Sequence, residues 1–395
     1  MKITAKTVKI AASVILGVTL FILVVMKYPF KEVFSTFSNI TPLLVFIYIC
    51  VSFSIMLLFA IRWRFVLKTF GHNLSFSEAF SFRVIEYGIS YLTPSGKAGG
   101  EPVRAALLTR KGIKFKEGLA AVVADKSIEM SVSVLFFIFG LLTLAIDYAL
   151  PRGLNIVLIA LSLFLLYVLW KFYSRILQGK PVFTALYRFL RLHKVKFLLK
   201  YQQVIADFEK PIIKFYNHEK KAFFVALTIS VLSLCLSIVE YKLLLLMLGI
   251  HASLSIVFIV FSVVGIAFLV PVPMGLGSLE ALQASLFSVL GLGSAAGVGL
   301  AMITRARDLL WVLVGVILSL YIGGFKKVVR EAYDSKYSNP IMKTMIFRDG
   351  KVEPLTIKMF RYPVHEKNFL SLKELKNRGK LLFNKGKNNK KGEFE

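Results

Sequence analysis

An eight-residue pattern, P-x-G-x-[AG]-x-x-E, occurs twice in this chain, each time inside apolar sequence. The first copy is Pro94-Ser95-Gly96-Lys97-Ala98-Gly99-Gly100-Glu101. The second, 179 positions later, is Pro273-Met274-Gly275-Leu276-Gly277-Ser278-Leu279-Glu280. Proline lacks a backbone donor and glycine adopts conformations closed to other residues, so each copy predicts a helix break followed by a carboxylate. Interrupted apolar segments at matching places in two halves are the sequence pattern of a transporter binding site.

Composition sets the class in which this pattern is read. The chain is 56% hydrophobic over 395 residues, with a mean hydropathy of +0.70, too apolar for a soluble domain. Continuous apolar runs long enough for a bilayer core of about 30 Å fall at 8–26, 42–61, 118–146, 153–170, 222–248 and 295–322. The run from Val8 to Met26 is longer than a signal-peptide core, and no small-residue cleavage site follows it. It is expected to be a retained first helix. Regions 76–110 and 254–292 are also apolar, but the repeated pattern cuts each into pieces short of the roughly 20 residues that a crossing needs. They suit re-entrant hairpins that enter and leave on one side.

The net charge of +28 raises the question of nucleic-acid binding, and its distribution answers it. Of 50 Lys and Arg residues, 41 lie in 1–9, 62–74, 104–117, 171–221 and 326–395, while the alternate loops carry only Lys27, Lys31 and Arg152. This is a positive-inside signature, which puts both termini in the cytoplasm and makes nucleic acid an unneeded partner. On that path 76–110 dips from the cytoplasmic side and 254–292 from the outer side, so the halves have opposite topology.

The expected fold is therefore an all-α polytopic protein of the cell membrane, with six full spans and two broken hairpins in an inverted repeat. Its parts are an N-terminal helix and outer loop (1–41), half one (42–146), a linking helix with a basic cytoplasmic connection (147–221), half two (222–325) and a basic cytoplasmic tail (326–395). In the connection, Phe183, Leu186, Tyr187 and Leu190 stand at helical spacing, which fits either a helix on the membrane surface or a solvated linker. In the tail, Asp349-Gly350 has the composition of a hairpin turn.

Ionisable residues at membrane depth are costly and usually face a protein interior or a wet cavity. Here they include Arg83, Glu86, Lys97, Glu101, Arg104, Asp125, Lys126 and Glu129 in half one. Half two carries Glu240, Lys242, Glu280, Arg305, Arg307 and Asp308. Asp125, Lys126, Glu129, Arg305 and Asp308 are expected to form one charged cluster where the last helices of the halves meet. That cluster reads equally as a structural ion-pair network or as proton- or substrate-handling machinery. Pro94, Gly96, Lys97, Glu101, Arg104, Pro273, Gly275, Gly277 and Glu280 are the expected headgroup or gating residues. The glutamates fit two roles, capping of half-helix starts and shaping of a polar-headgroup cavity.

Cys50 and Cys235 stand alone in apolar runs, and the five His are scattered, so neither a disulfide framework nor a metal site is expected. The chain has no G-x-x-x-x-G-K-[ST], no G-x-G-x-x-G at a strand-to-helix junction and no G-x-S-x-G. No cofactor and no resident enzymatic reaction are expected, and any transport is passive or ion-coupled.

SYLTPSGKAGGEPVR (Ser90–Arg104) followed by AAVVADKSIE (Ala120–Glu129), with VPVPMGLGSLE (Val270–Glu280) and TRARDL (Thr304–Leu309), resembles the two signatures of the lysylphosphatidylglycerol synthase/flippase membrane region over about residues 10–325. One departure is the double glycine before Glu101. The resemblance implies a membrane protein that moves lipids or lipid-linked molecules between leaflets. It carries Glu101 and Arg104 into the first signature, and Glu280, Arg305 and Asp308 into the second. The family's aminoacyltransferase domain has no counterpart here, so flipping is implied without aminoacylation. The implied partners are membrane lipids, phospholipid or aminoacyl-phospholipid first and lipid-linked intermediates next, with a lipid- or glycan-modifying enzyme or a second copy as protein partners. A role as the membrane subunit of a lipid or glycan synthase is the alternative.

Overall fold

The computed structural model describes residues 19, 30–93, 99–148, 150–191, 201–268, 270, 272–322, 347–348 and 351–352. Its body is helical. After a short α1 (Phe30–Ser35), the chain forms α2 (Pro42–Thr69), α3 (Phe76–Leu92), α4 (Glu101–Thr109), α5 (Phe115–Asp147) and α6 (Arg152–Ile176). Then come α7 (Phe183–Phe189), α8 (Tyr201–His218), α9 (Lys220–Met247), α10 (Leu254–Ala267), α11 (Ser278–Val289) and α12 (Ser294–Tyr321). In the tail, considered by itself, β1 (Phe347–Arg348) and β2 (Lys351–Val352) pair antiparallel on either side of Asp349-Gly350.

Helices α2, α5, α6 and α9 are long and apolar enough to cross a membrane. Helix α12 is as long as α2 but carries Arg305, Arg307 and Asp308 within its length. The expected span 8–26 lies outside the described residues. Two expected boundaries move. The helix expected over 42–61 continues to Thr69, so Arg62 belongs to the helix rather than to a loop, and its side chain is fully buried. The run expected over 153–170 extends to Ile176.

The two halves are built alike. In half one, α2 ends before a left-handed Gly71, and Ser75 caps α3 by accepting from the Glu78 amide. In half two, α9 ends before a left-handed Gly249, and Ser253 caps α10 by accepting from the Ile256 amide. Left-handed Gly112 and Gly291 follow α4 and α11. Each pair is separated by 178 or 179 positions. Turn glycines and N-cap serines are the groups that fix where helices stop and start, so their repetition fixes the repeat of the fold.

Packing follows the same exchange of halves. α3 of half one packs on α12 of half two, and α10 of half two packs on α5 of half one. Within each half the second hairpin helix packs on the last helix, α4 on α5 and α11 on α12. Helices α2 and α9 pack on one another where the halves meet. The last helices, expected to meet there, are each engaged instead with the other half's hairpin. Glycines permit the close approach. A β-carbon on Gly140 of α5 would stand 2.0 Å from Ser262 Oγ and 2.7 Å from the Phe258 carbonyl of α10. One on Gly315 of α12 would stand 2.9 Å from the Val84 carbonyl of α3.

The basic connection is helical in its described parts, α7 and α8. Buried Glu209 of α8 accepts hydrogen bonds from the Val182, Phe183 and Thr184 amides and so caps α7. The four apolar residues noted in the sequence are unequally buried. Tyr187 is buried, Phe183 is half-buried, and Leu186 and Leu190 are exposed.

Candidate functional site

Between the halves lies a cavity of about 530 Å³, lined by α2, α3, α5, α6, α9, α10 and α12. Most of its wall is apolar and aromatic, with serines interspersed. Arg83, Glu86, Lys126, Glu129, Glu240 and Arg307 also face it.

Half one holds its charges in one network. Asp125 of α5 is fully buried and accepts from Arg62 Nε of α2 at 2.8 Å and from Arg104 Nη1 of α4 at 2.9 Å. One turn on, Glu129 accepts from Arg83 Nη2 at 2.6 Å and Lys126 Nζ at 2.8 Å, and also from Arg62. Glu86 accepts from Arg83 Nη1 at 2.9 Å and faces Arg104 Nε at 3.0 Å. The guanidinium of Arg104 stacks on Trp63, and those of Arg62 and Arg83 approach the Phe59 ring. Arg62 Nη1 reaches across to Ser230 of α9 at 3.1 Å. Arginine suits this place, because its planar fork engages two carboxylates and an aromatic face at once.

Half two splits its charges between two groups. Arg305 pairs with fully buried Glu280 and donates to the Met274 and Gly275 carbonyls of the break, both at 2.9 Å. Glu280 in turn accepts from the Gly277 amide at 3.0 Å. The break is a tight turn with Met274, Gly275 and Gly277 all at positive φ. Its freed carbonyls are satisfied by the cation of α12 and its freed amide by the glutamate. The second group is Arg307, paired with Glu240 and with Asp308, and Tyr87 of half one donates to Asp308 at 2.7 Å.

The first break is only partly described, and Pro94, Gly96 and Lys97 lie outside the described residues. Gly100 ends it. A β-carbon there would fall 2.2 Å from the Glu86 carbonyl and 2.5 Å from Ser90 Oγ, so only glycine allows α4 to start this close to α3. Glu101 follows, with Lys126 Nζ at 3.7 Å and no hydrogen bond to its carboxylate among the described residues.

These placements give a correspondence between the halves. The base equivalent to Arg305 is Lys126, because each stands 25 residues after its motif glutamate and each pairs with it. Glu129 and Asp308 are likewise 179 apart. Asp125 and Glu129 share a network with Lys126, while Arg305 and Asp308 belong to separate groups, so the five residues form three clusters rather than a single one, and of the five only Lys126 and Glu129 line the cavity. Arg104, expected beside the break, turns instead to Asp125 and Glu86. Arg62 was missed because a lone arginine after an apolar run reads as a loop charge. Its partners stand 63 and 67 positions away, and no local pattern announces them.

Among the described residues, no group of three or more His, Cys, Asp or Glu is arranged to hold a metal ion.

Comparison with known sequences finds membrane-protein relatives. A UPF0104 membrane protein of Methanothermobacter thermautotrophicus is 22% identical over 324 residues, which cover 79% of this chain and 95% of that protein. Another, from Pyrococcus horikoshii, is 23% identical over 296 residues, covering 70% and 86% respectively. The family described as the lysylphosphatidylglycerol synthase TM region matches residues 10–316. This span holds both helix breaks, both motif glutamates and the described lining of the charged cavity, and the chain is a membrane protein of the lysylphosphatidylglycerol synthase TM region family.

Proposed function

We propose that this chain is a flippase-like transporter that moves a polar lipid between membrane leaflets. The observation that carries the reading is the cavity itself, with ionised side chains from both halves set in a largely apolar wall inside a membrane protein. Its volume of about 530 Å³ suits a lipid headgroup. The acyl chains would stay in the bilayer while the headgroup crosses.

In this reading 8–26, α2, α5, α6, α9 and α12 span the membrane. The α3–α4 and α10–α11 pairs are re-entrant hairpins dipping from opposite faces, and both termini are cytoplasmic. The hairpins then act as gates, each tied to its own half's last helix by a glutamate–cation pair. The family carries the lipid-related expectation, and the repeat of caps, breaks and packing supports the inversion.

The test is reconstitution of the purified chain into liposomes with headgroup-labelled lipids, followed by chemical quenching from outside. Transport predicts a loss of fluorescence beyond the outer-leaflet share for at least one lipid. A loss equal to that of protein-free liposomes, for every lipid tried, would reject the proposal.

A further inference from the structure

The charge balance of the cavity indicates which headgroup it favours, an inference that rests on the lipid-transport reading of the same site. Among the described residues three cations line it, Arg83, Lys126 and Arg307, against three carboxylates, Glu86, Glu129 and Glu240. The wall is neutral in sum, and these cations are already paired with carboxylates. A headgroup with a net charge would therefore find no excess of the opposite sign, and a charge left unpaired in a low-dielectric enclosure is expensive. A headgroup carrying one phosphate and one ammonium adds no net charge. It can exchange partners with the existing pairs one for one.

Two polar atoms of lining residues lack a hydrogen-bond partner among the described residues. Arg83 Nε, a donor, and Glu240 Oε1, an acceptor, have no hydrogen-bond partner among the described residues, although both side chains are more than nine-tenths buried. Buried polar atoms in native proteins are nearly always satisfied, so open ones mark places where a partner is missing. Arg83 stands on α3 of half one and Glu240 on α9 of half two. The wall also holds the rings of Tyr241, Phe261, Phe268 and Trp311, and aromatic faces attract ammonium groups.

We propose that the cavity selects zwitterionic phospholipid headgroups, with the phosphate taken by Arg83 and the ammonium by Glu240 and the neighbouring rings. Selectivity then comes from rejection of either net charge as much as from attraction.

The test is competitive binding to the purified full chain. Zwitterionic phosphatidylethanolamine, anionic phosphatidylglycerol and a cationic lipid of matched acyl chains are offered in equal amounts, and the bound lipid is read by native mass spectrometry. The expected result is preference for the zwitterion by about tenfold or more, as one uncompensated charge at an effective dielectric of about 20 requires. Glu240→Gln, which leaves the wall with one excess cation, shifts the preference toward phosphatidylglycerol. Arg83→Gln shifts it toward the cationic lipid. Equal binding of the three lipids, a wild-type preference for either charged one, or an unchanged order in Glu240→Gln overturns the proposal, and Glu240→Gln alone decides if the Arg83 variant fails to fold. Selective binding of the zwitterion without transport in liposomes would leave this inference standing and reject the flippase reading. Transport without headgroup preference would do the reverse.

Discussion

At the scale of single residues, the motif glutamates are alike in sequence and unlike in setting. Glu280 is fully buried, pairs with Arg305 and accepts the Gly277 amide, while Arg305 donates to the Met274 and Gly275 carbonyls of the second break. Among the described residues Glu101 has one cation, at 3.7 Å, and that cation is shared with Glu129 at 2.8 Å. Removing one partner of a buried pair costs roughly 3–5 kcal/mol, because the other charge is left unpaired. Glu280→Gln, which strands Arg305, should lower stability by about that amount. Glu101→Gln leaves Lys126 with Glu129 and should cost about 1 kcal/mol or less, the scale of one ordinary hydrogen bond. Thermal unfolding of both variants in one detergent checks the contrast, and equal losses would contradict it. A second prediction concerns Arg62, which holds Asp125, Glu129 and Ser230 together. Arg62→Met should destabilise the chain by several kcal/mol, and Arg62→Lys should recover only part of this, since an ammonium lacks the fork that reaches several acceptors. The denaturation midpoints of the two variants decide. The residues of the breaks were legible in the sequence because Pro and Gly act locally. The pairings of Arg62, Asp125 and Arg104 were not, because they join residues dozens of positions apart and depend on which faces the fold turns inward.

At the scale of elements, helices begin and end where caps and glycines place them, and the halves use the same devices at the same spacing. That is why most helices could be placed from the sequence to within a few residues, while α2 was cut short at its first arginine. What the sequence could not supply was the partner of each helix. Hydropathy marks a helix as buried or lipid-facing but says nothing of its neighbour, and so α5 and α12 were expected to touch where α2 and α9 do. The contact of α5 with α10 depends on Gly140, where any side chain would strike Ser262 and the Phe258 carbonyl. Gly140→Val should therefore destabilise by roughly 1–3 kcal/mol through overpacking. Gly153→Val, where a new β-carbon meets nothing within 4 Å, serves as the control and should stay near wild type. Equal effects at the two positions, read as shifts in Tm, would show that the close approach of α5 and α10 carries no special load.

At the scale of the whole molecule, the pattern that recurs at 94 and 273 becomes one part of a longer correspondence. Gly71 and Gly249, Ser75 and Ser253, Glu101 and Glu280, Lys126 and Arg305, and Glu129 and Asp308 are all spaced by 178 or 179 residues. Helices of both halves line a charged cavity, and in each half the motif glutamate pairs with a cation of its own last helix; in the proposed function the breaks beside these glutamates are the gates. The account depends most on the copies being inverted, since only then do the gates face opposite sides of the membrane. Asn73 and His251 are exposed and occupy equivalent turns, 178 positions apart. With Cys50 and Cys235 replaced by alanine, Asn73→Cys and His251→Cys can be labelled singly in intact cells with a membrane-impermeant maleimide. The account predicts that His251→Cys reacts from outside and that Asn73→Cys reacts only after permeabilisation. Labelling of both from the same side would contradict the inverted repeat and, with it, the two-gate reading of the cavity.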